Sequence, residues 1–224
     1  MARFSRLQVL NTMLEVGLTP IFNHAELKVA TQIVDACVRG GARTIEFTNR
    51  GDQAPLVFVD LWRYMSERHP DVILGVGTVL DPATAALYIG YGANFIVAPS
   101  FNRDVALLCN RYKVAYIPGC ATPTEIATAE EMGVEIVKIF PSLSVGGPGF
   151  VKAVLGPSPW TRMMPTSGVE ATQESITAWF KAGIACVGFG SQLLHDDWIK
   201  AGEFDKIAAL TRDVLAWIRE ASQF

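Results

Sequence analysis

The stretch Val134-Glu-Ile-Val-Lys-Ile-Phe-Pro141 predicts a buried β-strand that contains one lysine, Lys138. Because alternate side chains of a strand share a face, Lys138 is expected to point the same way as Ile136 and Phe140. A lysine is rarely buried unless a partner pairs with it or its chemistry is used. Burial lowers the pKa of an amine, and a partly neutral amine can form a Schiff base with a ketone. A lysine whose stem packs while its head reaches water is the alternative.

Strands and helices alternate on both sides of this stretch. The predicted strands cover residues 18–22, 43–48, 72–76, 94–98, 114–117, 134–141, 162–164 and 185–188. Strands that are almost uniformly apolar are typical of a parallel sheet covered on both faces. The pattern predicts an α/β fold, a (β/α)8 TIM barrel toward the small end of its size range. A doubly wound open sheet is the alternative, but no GxGxxG turn follows the first strand.

An extra N-terminal helix is predicted ahead of the first strand. Leu7, Leu10, Met13 and Leu14 recur there at helical spacing, so this helix is expected to pack against the barrel. The segment has no continuous apolar run and no cleavage site, which argues against a signal peptide. No linker, low-complexity tract or shift in composition interrupts the chain, and residues 1–224 are expected to form one domain.

The composition excludes several classes of protein. Half of the residues are hydrophobic and 18% are charged, which excludes general disorder, and the net charge of −3 argues against a nucleic-acid binder. The four cysteines show no paired spacing and are expected to be small core residues in a reducing compartment. No apolar run approaches the roughly 20 residues of a membrane span. We therefore expect a cytoplasmic protein with no membrane or nucleic-acid partner.

Polar residues at the carboxyl ends of the strands are expected to line one mouth, where barrel enzymes have their active sites. Glu46 is the most informative of them. Ile45 and Phe47 share a face, so Glu46 points into the barrel if that apolar pair faces the helices. A buried carboxylate and a buried amine are costly for stability alone. We predict a Schiff-base Lys138 served by a proton-shuttling Glu46, with a purely structural ion pair as the alternative.

Other residues at this mouth are suited to binding an anion. Arg50 could hold a carboxylate with two hydrogen bonds, or it could be a solvated loop residue. Met164-Pro-Thr-Ser-Gly168 and Gly188-Phe-Gly-Ser191 are similar to the phosphate-binding loops that follow the seventh and eighth strands of such barrels. The three histidines share no metal-ligand spacing, and no metal is expected.

Six segments spread over nearly the whole chain carry more specific information. They are Gly40-Gly-Ala-Arg-Thr-Ile-Glu46, Gly75-Val-Gly-Thr-Val79, Ala93-Asn-Phe-Ile-Val-Ala-Pro-Ser-Phe-Asn102, Ile117-Pro-Gly-Cys-Ala-Thr-Pro-Thr-Glu125, Val137-Lys-Ile-Phe-Pro141 and Pro165-Thr-Ser-Gly-Val169. In this order they resemble the KDPG/KHG aldolases. These are class I enzymes that act on 2-keto-3-deoxy-6-phosphogluconate and 4-hydroxy-2-oxoglutarate.

The resemblance implies a homotrimer of (β/α)8 barrels that needs no metal or other cofactor and takes a small-molecule keto acid as substrate. Lys138 matches the family's Schiff-base lysine and Glu46 its general acid/base. Arg50 and Thr78 match the residues that hold the pyruvyl carboxylate. The implied products are pyruvate and an aldehyde, either glyceraldehyde 3-phosphate or glyoxylate.

The remaining matches concern the walls and the distal end of the site. Pro99 and Phe140 match residues that line the family's active site. The phosphate site is matched by Thr166, Ser167, Gly168, Gly190 and Ser191. Two departures from the family affect the distal end. Ser167 replaces a glycine of the usual Pro-Thr-Gly-Gly and restricts the backbone there, and residues 143–160 differ from the better-known members.

Several functions remain open at this point. Within the family, the substrate could be of the phosphogluconate, phosphogalactonate or hydroxyglutarate type, and the first two differ only in stereochemistry. A phosphate-binding barrel isomerase or synthase, in which Lys138 only neutralises an anion, would form no covalent adduct with pyruvate. A catalytically silent sugar-acid binder would bind its ligand without turnover.

Overall fold

Eight parallel strands form the sheet of this protein, whose computed structural model describes residues 2–222. The strands are β1 (Leu18–Phe22), β2 (Thr44–Thr48), β3 (Ile73–Gly77), β4 (Phe95–Ala98), β5 (Ala115–Cys120), β6 (Val137–Ile139), β7 (Met163–Pro165) and β8 (Val187–Phe189). Their order is β7-β6-β5-β4-β3-β2-β1-β8. A parallel bridge between Thr166 and Gly188 brings β7 and β8 together, so the sheet is a nearly closed barrel. The predicted (β/α)8 fold is confirmed.

Helices follow the strands and cover the outside of the barrel. Within residues 2–222 they are α1 (Arg6–Val16), α2 (Leu27–Gly40), α3 (Ala54–Arg68), α4 (Pro82–Gly90), α5 (Arg103–Tyr112), α6 (Pro123–Glu131), α7 (Gly147–Leu155), α8 (Gln173–Ala182), α9 (Asp196–Ala201) and α10 (Phe204–Ala221). Asp81 caps α4 and Thr122 caps α6, and each is followed by a proline in the first turn. No helix in this range is long and apolar enough to cross a membrane.

Four elements differ clearly from the prediction. β5 continues to Cys120, three residues beyond its predicted end. β6 covers only Val137–Ile139, because residues 134–136 do not join the ladder with β5 and β7. The sequence predicts a short helix over residues 150–155, whereas α7 starts three residues earlier, at Gly147. No helix was predicted at the position of α9. With six residues, α9 is too short to show a helical period.

The predicted extra helix α1 closes the amino-terminal end of the barrel. Its buried side chains Val9, Leu10 and Met13 belong to one apolar cluster with inward-facing residues of the strands and of the residues just before them. The cluster's other buried members are Ile73, Phe95, Val97, Ala115, Ile117, Ile136, Met164 and Cys186. All four cysteines are buried and free, as expected of small core residues.

The prediction for Leu7 was wrong, since its side chain is 70% exposed. Val9 takes its place in the buried set, together with Leu10 and Met13. The helical spacing identified an apolar stripe on α1, but Leu7 lies outside the part of the helix surface that packs against the barrel.

We predict that Met13→Ala lowers the free energy of unfolding by about 2–5 kcal/mol, because it leaves a cavity in the closed end of the barrel. Leu7→Ala is the matched control on the same helix and should change it by less than about 0.5 kcal/mol. Urea unfolding followed by circular dichroism measures both values. Equal effects of the two substitutions would show that α1 does not seal the barrel.

Candidate active site

A cavity of about 630 Å³ opens at the carboxyl ends of the strands. All of the predicted site residues line it, namely Lys138, Glu46, Arg50, Thr78, Pro99, Phe140, Thr166, Ser167, Gly168, Gly190 and Ser191. Residues as far apart in the sequence as Glu46 and Ser191, which are separated by 145 positions, therefore meet at one mouth. What each of them does there remains a prediction.

Glu46 lies inside the barrel because β2 alternates as predicted. Ile45 and Phe47 pack in the core between sheet and helices, whereas Glu46 faces inward and is 1% exposed. Its carboxylate lies over the backbone of Gly77, where an added Cβ atom would be 1.7 Å from Oε1. In the described part of the chain, no group donates a hydrogen bond to Oε2. Burial raises the pKa of Glu46, and the charges of Lys138 and Arg50 oppose that rise.

Lys138 is inside the barrel as well, at the level where the apolar cluster gives way to polar groups. It is 7% exposed and pairs across the sheet with Gly119 of β5 and Met164 of β7. Its Nζ lies 4.9 Å from the centre of the Phe140 ring. Burial lowers the pKa of Lys138, the Glu46 charge opposes this change, and the Arg50 charge adds to it.

The two buried groups interact through their charges without direct contact. The salt bridges formed among residues 2–222 do not include one between Lys138 and Glu46. The alternative of a direct structural ion pair is therefore not what the structure shows. Burial shifts each pKa toward the neutral form, which gives an amine that can attack a carbonyl and a carboxyl group that can donate and accept protons.

The carboxylate-binding candidates Arg50 and Thr78 follow β2 and β3. The Arg50 side chain is exposed on its loop, and its charge reaches both buried groups. Thr78 has a φ of 61°, which is uncommon for a β-branched residue. Strained backbone of this kind clusters at ligand sites, where the surrounding structure holds it.

The distal end of the cavity is formed by the loops after β7 and β8. Thr166 is buried, and its Oγ1 has no hydrogen-bond partner among the described residues, so a ligand could supply one. Ser167 has a φ of 72°, a conformation that glycine would adopt at lower cost. Its carbonyl oxygen accepts a hydrogen bond from the Ser142 hydroxyl. An added Cβ atom at Gly168 would lie 2.5 Å from the Cβ of Leu143. The loop that carries Ser167 therefore contacts the chain at 142–143, where the second departure from the family pattern begins.

Four other polar residues line the cavity, to which the sequence assigns no role, and they are Asn23, Thr48, Gln192 and Asp196. The alternation of β2 places Thr48 on the inward face with Glu46, so its position at the mouth is predicted by the sequence. Asp196 begins the short α9, for which the sequence held no signal. Within the described chain, Asp196 is the acidic lining residue besides Glu46, and the cationic lining residues are Arg50 and Lys138.

The fold and the cavity at the carboxyl ends of its strands are those of a (β/α)8-barrel enzyme, with a buried amine and a buried carboxyl group facing one cavity. A family model described as KDPG and KHG aldolase matches residues 9–210. The chain belongs to this aldolase family, and so to a family of lyases.

Individual relatives agree with the family match. A Treponema pallidum 2-dehydro-3-deoxy-phosphogluconate aldolase is 32% identical over 200 residues, covering 89% of this chain and 92% of that protein. The KHG/KDPG aldolase of Escherichia coli K12 is 30% identical over 198 residues, covering 88% and 90%. The structure of a Legionella pneumophila KDPG aldolase, with pyruvate captured as a covalent carbinolamine intermediate, matches with a TM-score of 0.82. It is 27% identical, and the match covers 91% of this chain and 96% of that one.

We predict that Gly77→Ala lowers turnover by about 10²-fold or more, because the new methyl group would occupy the position of the Glu46 carboxylate. Gly90→Ala is the control, since an added Cβ atom there meets nothing within 4 Å. Steady-state kinetics and thermal unfolding of both variants separate a displaced carboxylate from a loss of stability. Full activity of a folded Gly77→Ala variant would mean that the Glu46 position is not critical.

Proposed function

We propose that this protein is a class I aldolase that cleaves a 2-keto-3-deoxy-6-phospho sugar acid of the KDPG type, 4-hydroxy-2-oxoglutarate, or both, to pyruvate and an aldehyde. The observation that carries the proposal is the buried Lys138, which faces the cavity beside a buried Glu46. Burial favours the neutral, nucleophilic form of the amine. The covalent pyruvate carbinolamine of the Legionella relative supports the same chemistry here.

In the proposed reaction, neutral Lys138 adds through Nζ to the C2 ketone and forms a carbinolamine. Protonated Glu46, acting through a bridging water, gives a proton to the carbinolamine hydroxyl, which leaves as water and yields an iminium ion. Ionised Glu46 then takes the proton of the C4 hydroxyl, and the electrons of the C3–C4 bond move into the iminium. The aldehyde departs. Protonation of the remaining enamine at C3 and hydrolysis release pyruvate and restore Lys138.

The proposed binding roles divide the residues that line the cavity between the two ends of the substrate. Arg50 and Thr78 hold the carboxylate of the pyruvyl unit, while Pro99 and Phe140 flank it. The distal phosphate or carboxylate is held through hydroxyls and backbone N–H groups of the loops at 167–168 and 190–191 and of Thr166. The Thr166 hydroxyl has no hydrogen-bond partner within the described residues and is free to bind the anion. The Lys138 imine serves as the electron sink, so the proposal includes no metal or other cofactor. The proposed homotrimer rests on the resemblance to the family, whereas the proposed cytoplasmic location rests on the composition, including four free, buried cysteines.

The experiment that tests the function is reduction with borohydride in the presence of pyruvate. We predict one reduced pyruvate adduct per chain, on the peptide that contains Lys138, because a neutral buried amine forms an imine with the keto acid. Intact-mass measurement and peptide mapping detect it. Lys138→Arg should form no adduct, and the control Lys152→Arg, at an exposed position of α7, should form as much as the wild type.

A folded wild-type protein without an adduct would contradict the aldolase proposal and favour an isomerase, a synthase or a silent binder. If the adduct forms, kcat/KM values for 2-keto-3-deoxy-6-phosphogluconate, its galactonate epimer and 4-hydroxy-2-oxoglutarate identify the substrate type. The epimer tests the phosphogalactonate alternative directly.

We predict that Glu46→Gln lowers turnover by about 10²–10⁴-fold, the usual contribution of general acid–base catalysis, while some trappable imine remains. Because the Glu46 charge raises the pKa of Lys138, its loss should lower that pKa further. The amine reacts only when deprotonated. The pH–rate profile of imine formation should therefore be shifted to lower pH in the variant, relative to the wild type. Rapid-quench borohydride trapping across a pH series measures this shift. Unchanged turnover would remove Glu46 from the mechanism.

A further inference from the structure

The loop after β2, which carries Arg50, is held by side chains from two neighbouring elements. Asn23, just past β1, donates two hydrogen bonds from its Nδ2, to the carbonyl oxygen of Thr48 at 2.8 Å and to that of Arg50 at 3.1 Å. Tyr88 of α4 donates from its hydroxyl to Oδ1 of Asn49 at 2.7 Å. The loop is therefore fixed immediately before, at and after Asn49.

These side-chain bonds act on a loop that is otherwise held by backbone hydrogen bonds, including one from the Arg50 N–H to the carbonyl oxygen of Thr48 at 2.9 Å. None of the residues 49–53 is buried, and none belongs to a helix or strand. An added Cβ atom at Gly51 would meet nothing within 4 Å, so no packing defines the loop there. The Asn49 N–H donates to the carbonyl oxygen of Gly77 at 2.8 Å, which ties the loop to the strand residue that lies under the Glu46 carboxylate. The same network thus reaches the Glu46 end of the site.

Tyr88 is built as a rigid support for this loop. Its side chain is fully buried, and its ring makes an edge contact with Phe58 at a centroid distance of 5.0 Å. Burial raises the pKa of Tyr88 to about 12, so its hydroxyl remains a proton donor at any working pH. The ring is anchored in the core and only the hydroxyl reaches Asn49, so phenylalanine would keep the packing and lose only the hydrogen bond.

We propose that Tyr88 and Asn23 are positioning residues for the substrate carboxylate and act by fixing the loop that presents Arg50. The inference rests on the proposed role of Arg50 as the carboxylate clamp. A two-point clamp needs its guanidinium in a defined place, and a shift of about 1 Å in a substrate-binding group can reduce activity by about 10²-fold. Lys138 lies on β6 and is linked to this loop through the charge of Arg50, which lowers its pKa. A displaced loop should therefore weaken pyruvate binding more than it changes the maximal rate of imine formation.

The test uses pyruvate itself as the probe. For each variant, the rate of borohydride trapping is measured against pyruvate concentration, which gives a half-saturating concentration and a maximal rate. We expect Tyr88→Phe to raise the half-saturating concentration about 3- to 10-fold, as the loss of one hydrogen bond would, with a maximal rate within about 2-fold of wild type. Tyr91→Phe makes the same change one turn along the chain, where the hydroxyl forms no bond to the Arg50 loop, and should alter neither value.

A double-mutant cycle distinguishes positioning from a general structural effect. Arg50→Ala alone should raise the half-saturating concentration more than Tyr88→Phe does, and adding Tyr88→Phe to Arg50→Ala should raise it no further. Asn23→Ala should behave in the same way, and because Asn23 is exposed this variant should fold even if Tyr88→Phe does not. If Asn23 touched the substrate directly, its effect would persist without Arg50.

Additive effects in the cycle, or an unchanged half-saturating concentration in both single variants, would overturn the positioning role while the wild-type adduct still supported the aldolase. If the wild type formed no adduct, the proposed function would fail, and the inference that rests on it would fail with it.

Discussion

The burial of one amine and one carboxyl group in the same barrel, close enough to interact but not in contact, is the constraint on which the site depends. A direct Lys138–Glu46 pair would hold both groups charged, and the amine would lose its nucleophilicity. Separation leaves each group subject to burial, which favours the neutral form. Gly77 makes the observed position of Glu46 possible, because a Cβ atom there would overlap the carboxylate.

The barrel separates stability from chemistry along its axis. The amino-terminal half is filled by apolar residues of the strands and by α1, whereas the carboxyl-terminal half holds Glu46, Lys138 and Thr166. Glu46 Oε2 and Thr166 Oγ1 have no hydrogen-bond partner among residues 2–222. Unpaired buried polar groups destabilise a fold by about 1–3 kcal/mol each. The apolar half, sealed by Met13 and its neighbours, offsets that destabilisation.

The periodic spacing of apolar residues predicted the strands and the direction of their side chains. It did not predict contacts between residues that are far apart in the sequence. The two-residue alternation of β2 was enough to turn Glu46 inward, and the same rule placed Lys138 on the face of Ile136. The bonds from Asn23 and Tyr88 to the Arg50 loop span 25 to 39 residues and follow no period, so they become visible only once the barrel brings β1, β2 and α4 together. For Leu7, the stripe on α1 was recognised, but its spacing alone could not show which side chains the end of the barrel would cover.

The contact between Ser142 and Ser167, reinforced by Leu143 against Gly168, joins the start of the β6–α7 connection to the loop after β7. The loop after β7 lines the cavity, and the β6–α7 connection packs against that loop, so the two segments are not independent parts. Transplanting either one from a relative would set a foreign backbone against a native neighbour. Redesign of this barrel for new aldehydes should therefore exchange both segments as a cassette.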